Sequence, residues 1–594
     1  MNSKPIIQYS WVPKVSIIII MAFAFGYKFW ANGWQKRVIE NDVLSYYAYL
    51  PAIFIHNDLS LSFIDDTSKD RKHHFWPQKI DNGKYVIKTT MGMAVLYAPF
   101  FGLAHAYENF SGGKADGYTS PYRAAISFGA LLFMLLGLIF SKKLLHLYFP
   151  PLVSGITLLT IVMATNLFHY ATIEPGSTHV YNFALIALFL WLNNKWLANT
   201  SWKTTISLGL LFGLITLIRP TNALILLFPL LWKISSVNDF GRRFSLFWQS
   251  RMKVVSIIVL SITVWIPQLL YWKMQTGNYF FNSYGESFYF NNFHIIDALF
   301  GFRKGWFVYT PIMLIAVAGI FFLKNHLKDI RLSIAVFAII FIYITFSWWC
   351  WWYGGSFGSR PMIDIYAIMA IPLAAFVNAT FLYSYKARVI SLSLITLFVI
   401  HGFFQSLQYF YRTIHWDSMT KEAYIDSFGC IRPSENLWKL LERPDYESAV
   451  LGKSEKTTMA PLSDYAGNKD FLSIQTNIKL ESENEFFTLV QLTIPDNVNE
   501  LKSRVIIRGS SKNIFPDDLF LVASIYKENT IITSAQQPLT SENRLTDFPW
   551  KFSLNCPQTD KSKMTLKVFL WSKAKKDAKL SNIEILIFSM ANTQ

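Results

Sequence analysis

Of the 594 residues, 52% are hydrophobic and only 16% charged, against about 25% charged in a soluble globular chain, which excludes a large soluble enzyme. The net charge of +17 does not indicate nucleic acid as a partner, because the basic residues stand between apolar runs rather than in one patch. Three cysteines, Cys350, Cys430 and Cys556, far apart and odd in number, support neither a disulfide framework nor a zinc site.

Apolar runs of about 20 residues cross a bilayer. Eleven candidates are present, at 14–32, 119–141, 151–171, 178–194, 204–218, 221–233, 254–272, 306–323, 332–348, 361–381 and 388–408. The first follows Lys4 and Lys14 and has no small-residue cleavage site after it, so it reads as a signal anchor. The short runs 204–218 and 221–233 share the hinge Arg219-Pro220, the mark of a broken or re-entrant pair. Cations gather in alternate loops: Lys142/Lys143, Lys195/Lys203, Lys233/Arg242/Arg243/Arg251/Lys253, Lys324/Lys328/Arg331 and Lys386/Arg388. The short loops on the other side hold almost none apart from Arg219 and Arg360. This positive-inside pattern predicts a cytoplasmic N-terminus and an extracytoplasmic C-terminus. Segment 91–107 must then be interfacial or re-entrant, because a crossing there would invert every later loop.

Three extracytoplasmic segments are long: 33–118, 273–305 and everything after 409. From about 455 the apolar runs shorten and alternate with polar residues, as in FLSIQTNIKL, FFTLVQLTIP, SRVIIRG, LFLVASIYK, KFSLN, MTLKVFLW and IEILIFSM. Seven or eight short strands predict a small β-sandwich. The expected fold is therefore a polytopic α-helical membrane protein with about eleven transmembrane helices in residues 1–440. A linker at 441–454 would join it to an extracytoplasmic β-sandwich at 455–594. Trp550 and Trp571 either stack on sugars or fill the core of that sandwich.

The residues that could carry chemistry fall on the extracytoplasmic side. Asp42, just beyond the first span, is partly desolvated there and suits general-base work, or it caps a helix. Lys88, followed by Thr89 and Thr90 and then an amphipathic stretch, offers donors at headgroup height to a lipid phosphate, or it snorkels. Glu174 and His179 flank a tight turn, as ligands or as cap and packing. Arg219 at a break between apolar runs is a functional candidate by its cost alone. Arg303-Lys304 precedes a span, as a headgroup anchor or a phosphate site. The Gly-Gly-Ser-Phe-Gly-Ser stretch before Arg360 forms a loop whose backbone N–H groups can cradle an anion, and Asp364 is expected to pair with Arg360 at i−4. No Walker loop, dinucleotide fingerprint, His-Glu-x-x-His or nucleophile elbow is present. The longest cytoplasmic loop, about 233–253, is too short for a nucleotide-sugar-dependent catalytic domain.

Asn41-Asp42 with Tyr46-Tyr47-Ala48-Tyr49-Leu50-Pro51, Lys88-Thr89-Thr90-Met91-Gly92, Arg303-Lys304-Gly305-Trp306 and the Trp-Tyr-Gly-Gly run ending at Arg360 resemble, in order and side of the membrane, the GT-C glycosyltransferases. Within that superfamily the chain is most similar to bacterial relatives of the protein O-mannosyltransferases and the lipid A aminoarabinose transferases, over roughly residues 1–440. The resemblance implies an inner-membrane enzyme that takes a sugar from a polyprenyl-phosphate donor. The sugar passes, with inversion, to a glycan, lipid or protein acceptor outside the cytoplasm. It also implies that Asp42 corresponds to the first-loop acid of those enzymes. Many relatives have Asp-Glu or Asp-Asp there, where this chain has Glu40-Asn41-Asp42, which leaves the role of Glu40 and of a divalent cation open. A phosphate is a good leaving group, so no general acid is needed, unlike in two-carboxylate glycosidases. One base and cationic stabilisation of the departing phosphate are enough, the latter from Lys88, Arg303, Lys304 and Arg360. The other readings are a transporter or flippase of a lipid-linked glycan, which broken spans would suit, and an O-antigen polymerase or ligase.

Overall fold

The computed structural model describes residues 9–64, 75, 77–80, 82–442, 444 and 449, and the strands of the C-terminal part. They form two compact units. One holds the chain to Tyr424 together with Gly429–Arg432, and the other holds the C-terminal strands, from Lys469–Ser473 to Ala578–Ser589. The 441–454 linker lies almost wholly outside the described residues, as does Cys556.

Among the described residues, five helices are long and apolar enough to cross a membrane: Val12–Trp30, Ser120–Leu145, Arg251–Thr276, Arg360–Leu382 and Tyr385–Phe410. Shorter apolar helices cover Pro151–Met163, Trp202–Ile218, Pro220–Leu231 and Ile312–Leu323. The remaining predicted runs fall on Thr178–Ala198 and Lys328–Thr345. Proline stands at the first positions of the helices starting at Val12, Ser120 and Pro151, where its missing N–H costs nothing. Thr178–Ala198 is buried along most of its length. Arg251–Thr276 and Tyr385–Phe410 instead leave Ile258, Ile262, Leu397 and Ile400 exposed, as lipid-facing helices do.

Three of the apolar runs are interrupted. The first stops at Met163 and resumes as Leu167–Thr172. Trp202–Ile218 ends at an extended Arg219 and continues as a 3₁₀ turn, Pro220–Leu226. A second 3₁₀ turn, Arg360–Ile365, precedes the Tyr366–Leu382 helix. Their polar side chains meet: Asn166 accepts from the Tyr366 hydroxyl at 2.8 Å, and Asn222 donates to Asp364 at 2.9 Å.

Between the first helix and Ser120 lie two short helices, Asp42–Tyr47 and Tyr49–Phe54, and an antiparallel hairpin of β1 (Pro77–Lys79) and β2 (Tyr85–Ile87). The helix Gly92–Ser111 follows, with Pro99 inside it. A Cβ on Gly92 would sit 2.7 Å from the amide nitrogen of Ile218 and 2.8 Å from the Leu217 carbonyl carbon. Glycine thus lets this segment press on the backbone beside Arg219. The Tyr97 hydroxyl of the same helix donates to the Gly176 carbonyl.

The C-terminal unit contains two antiparallel sheets. One has the order β5 (Phe486–Ile494), β10 (Met564–Ser572), β7 (Leu519–Lys527), β8 (Thr530–Pro538). The other has the order β3 (Lys469–Ser473), β11 (Ala578–Ser589), β6 (Ser503–Ser511), β9 (Phe548–Asn555), with β4 (Ile478–Leu480) also paired to β11. Strand β8 is absent from the expected set because Thr530-Ile-Ile-Thr-Ser-Ala-Gln-Gln-Pro is too polar to alternate. It lies at the edge of its sheet, where such a sequence is tolerated. Trp571 stacks on Phe486 with centroids 5.9 Å apart, and Phe486 is exposed, so the pair lies on an open face. The side chain of Trp550 lies outside the described residues.

Candidate functional site

Asp42 is the first residue of its helix, and Asn41 is the cap position, at φ 50° and ψ −130°. Few side-chain-bearing residues adopt that conformation, and such strain persists only where surrounding structure enforces it. The enforcement is visible on both sides. Glu40 accepts a hydrogen bond from the Arg37 N–H at 3.0 Å. Behind the segment, a Cβ on Gly176 would lie 2.5 Å from the Val38 carbonyl oxygen and 2.6 Å from Val43 Cγ1. Glu40 is therefore engaged in its own turn. The carboxylate of Asp42 does not cap; its Oδ2 lies 2.7 Å from Nη2 of Arg360. The Asp42 side chain is 39% exposed and that of Arg360 21%, so the pair is open to small molecules.

Asp364 does not pair with Arg360. Fully buried, it accepts from His179 Nδ1 at 2.7 Å, Asn182 Nδ2 at 3.1 Å and Asn222 Nδ2 at 2.9 Å, with Arg219 Nη1 at 3.7 Å. The 2.7 Å contact requires the proton of the neutral imidazole to sit on Nδ1. Nδ1 then cannot accept from Arg219, although Nη1 is 3.2 Å away. Arg219 is held by Asp364 and by the face of Tyr353, 5.7 Å from its guanidinium carbon. One buried carboxylate thus joins the start of the Thr178–Ala198 helix to the two 3₁₀ turns, which carry Arg219 and Arg360 at their starts, and the charge of Arg360 reaches Arg219.

Lys88 pairs with Glu286 at 2.8 Å and lies 5.3 Å from the ring centroid of Tyr284. Tyr284 is hydrogen-bonded to Tyr46. Burial pushes the Tyr46 phenol up to about 12; Asp42 adds to this, and Arg360 and Arg219 work against it. The contacts Lys88–Tyr284–Tyr46 therefore lead to the Asp42–Arg360 pair. The hydroxyls of Thr89 and Thr90, expected as phosphate donors, are spent on Ser45 and on the Leu217 carbonyl.

Glu174 stands 3.8 Å from His169 Nε2. Burial raises its pKa, but His169, Arg37 and Arg360 outweigh this, and the carboxyl stays below its ordinary range. Arg303 donates to the Asp417 carbonyl at 3.3 Å and covers Trp352. Buried Lys304 donates to the carbonyls of Ser356 and Trp416. Half of the N–H groups of the glycine-rich loop expected to cradle an anion are already engaged. The N–H of Gly354 goes to Cys350 Sγ, that of Ser356 to the Trp416 carbonyl and that of Phe357 to the Tyr170 hydroxyl.

Asp42, Arg360, Arg219 and His179 thus share one cluster, Lys88 borders it through two tyrosines, and Arg303 and Lys304 build its wall. Tyr46 and Tyr353, which the sequence marks only within longer motifs, join them, as do Tyr284 and Glu286, which it does not single out. The sequence signals neither of the latter, because the contacts close over long separations: 198 residues from Lys88 to Glu286. Among the described residues, no three His, Cys, Asp or Glu side chains converge as metal ligands. Comparison with models of known protein families and with curated proteins returns no match.

Proposed function

We propose that this chain is an inverting, GT-C-like membrane glycosyltransferase that moves a sugar from a polyprenyl-phosphate carrier to a hydroxyl of an extracytoplasmic glycan, lipid or protein. The observation that carries the reading is the accessible Asp42 carboxylate on Arg360, with Arg219, fixed by a buried acid, within reach of the Arg360 charge. In this reading the donor phosphate competes for Arg360 and Arg219, and Asp42 is released from its ion pair. Asp42 then takes the proton of the acceptor hydroxyl while that oxygen attacks the anomeric carbon. The sugar–phosphate C–O bond breaks, and its electron pair leaves on the polyprenyl phosphate, whose charge the arginines hold. Lys88 lies at the margin where the lipid-linked phosphate enters, and Lys304 and Arg303 fix the wall.

The same proposal takes the eleven apolar runs as crossings in a bacterial inner membrane, with the basic loops in the cytoplasm. It places the site and the two C-terminal sheets, packed as a sandwich, outside. Supporting it, Gly92–Ser111 contacts the Ile218 break and the Gly176 loop, which belong to the site side.

The test is release of free polyprenyl phosphate, measured by mass spectrometry. The full chain in nanodiscs is given a panel of polyprenyl-phosphate sugars and a crude envelope acceptor fraction. Release from one donor by the wild type, lost in Asp42→Asn, supports the proposal. Equal release by both proteins removes Asp42 as base. Vectorial movement of the lipid-linked glycan without release replaces transfer by transport.

A further inference from the structure

The helix Val237–Gln249 joins the broken pair at Arg219 to the Arg251–Thr276 helix, in the most cation-rich of the five alternate basic loops. Ser236 and Asp239 cap it reciprocally: the Ser236 hydroxyl accepts from the Asp239 N–H, and Asp239 accepts from the Ser236 N–H at 2.9 Å. One side is fastened to the protein. Phe247 packs on Trp196 with centroids 6.1 Å apart, and buried Arg243 donates to the carbonyls of Trp232, at 2.6 Å, and Pro229.

A neighbouring side, about 80–120° round the helix, carries Val237, Phe244 and Trp248, at i, i+7 and i+11. At 3.6 residues per turn these fall within about 40° of one another. They are 85%, 62% and 73% exposed. Arg251 is exposed, and its guanidinium lies 5.8 Å from the Trp248 ring centroid. Lys233 is exposed just before the helix, and Arg242, 80% exposed, sits about 140° round from the stripe. Residues 233–253 contain five cations and one acid, Asp239. Toward the same end of the Thr178–Ala198 helix, Trp191 has Lys143 and Lys195 on its ring, at 4.7 and 3.9 Å.

A three-residue apolar stripe with an arginine at its edge, in a loop of five cations and one acid, matches neither water nor the hydrocarbon core. It matches a bilayer surface, where the stripe enters the acyl boundary and the cations meet anionic headgroups. We infer that Val237–Gln249 lies in the membrane interface and selects anionic phospholipid there, through Arg251 beside the stripe and the basic loop that carries it. The inference rests on this loop alone and stands whatever the chain transfers or transports.

The test uses the full chain with Cys430→Ser and Cys556→Ser and an NBD fluorophore on Phe244→Cys, reconstituted in nanodiscs of phosphatidylcholine with 30 mol% phosphatidylglycerol. A second label at Trp248→Cys repeats the reading independently. Nitroxide-labelled phosphatidylglycerol is expected to quench the fluorophore more than nitroxide-labelled phosphatidylcholine at equal mole fraction. Lys233→Gln with Arg251→Gln is expected to cut that preference by roughly fivefold per cation removed. Quenching by aqueous iodide instead of lipid overturns the inference, as does shielding from both, which would mark a protein contact. Equal quenching by the two lipids overturns the selectivity.

Discussion

Removing Asp364 will cost the fold far more than removing Asp42, although each carboxylate faces an arginine. Asp364 is fully buried and accepts three hydrogen bonds, at 2.7, 2.9 and 3.1 Å. Each hydrogen bond to a charged group is worth about 1.5–3 kcal/mol. Their losses do not add within one network, and breaking a buried pair from one side typically costs about 3–5 kcal/mol. That is the expected penalty for Asp364→Ala, which strands Arg219 and the donors of His179, Asn182 and Asn222. The Asp42–Arg360 pair is partly open to solvent, at 39% and 21% exposure, so it lies nearer the exposed pairs, which contribute about 0–1 kcal/mol. The assay is fluorescence-detected size exclusion of detergent-purified protein after heating. Asp42→Ala should move the midpoint by at most about 2–4 °C, and Asp364→Ala several times as far, with Asp364→Asn between them. Equal midpoints for the two alanine variants would refute the assignment of Asp364 as the fastening of the three elements.

Asp42→Asn should lower transfer by about 10²–10⁴-fold while leaving donor binding intact, read as polyprenyl phosphate release beside equilibrium binding of the donor. Burial holds Lys304 down to about 7 from its ordinary 10.5. Between those pH values the unfolded chain binds a proton that the folded chain lacks, so stability rises with pH across that window. The thermal midpoint of the wild type relative to Lys304→Met should therefore climb from pH 7 to 10, and a flat difference would refute it. Gly92→Ala drives a methyl group into the backbone of Leu217 and Ile218. It should cost about 1–3 kcal/mol and raise the donor KM by displacing Arg219; an unchanged midpoint and KM would show that the contact yields freely.

The apolar runs were legible because a helix in hydrocarbon must be apolar for its whole length, whatever it packs against. The break at Arg219-Pro220 was legible for the same reason: proline cannot donate, and a charge amid leucines needs a cause. The partner of Asp364 was not. The i, i+4 rule assumes 3.6 residues per turn, whereas Arg360–Ile365 is a 3₁₀ turn with 3.0, which swings Arg360 and Asp364 roughly 120° apart. The threonines at 89 and 90 misled because a hydroxyl before an amphipathic helix serves a backbone carbonyl as readily as a phosphate. The tyrosines around Asp42 were hidden among the 29 in the chain, since only tertiary contact separates them.

The pairing of Asp42 with Arg360 also fixes an order of assembly. The arginine is synthesised roughly 320 residues after the aspartate, a delay on the order of tens of seconds at ordinary translation rates. Throughout that interval the first loop exists with its acid unmatched and its strained Asn41 unsupported from that side. The centre can form only as the last helices arrive, and a chain truncated before residue 360 would keep the Arg37–Glu40 turn yet have no centre.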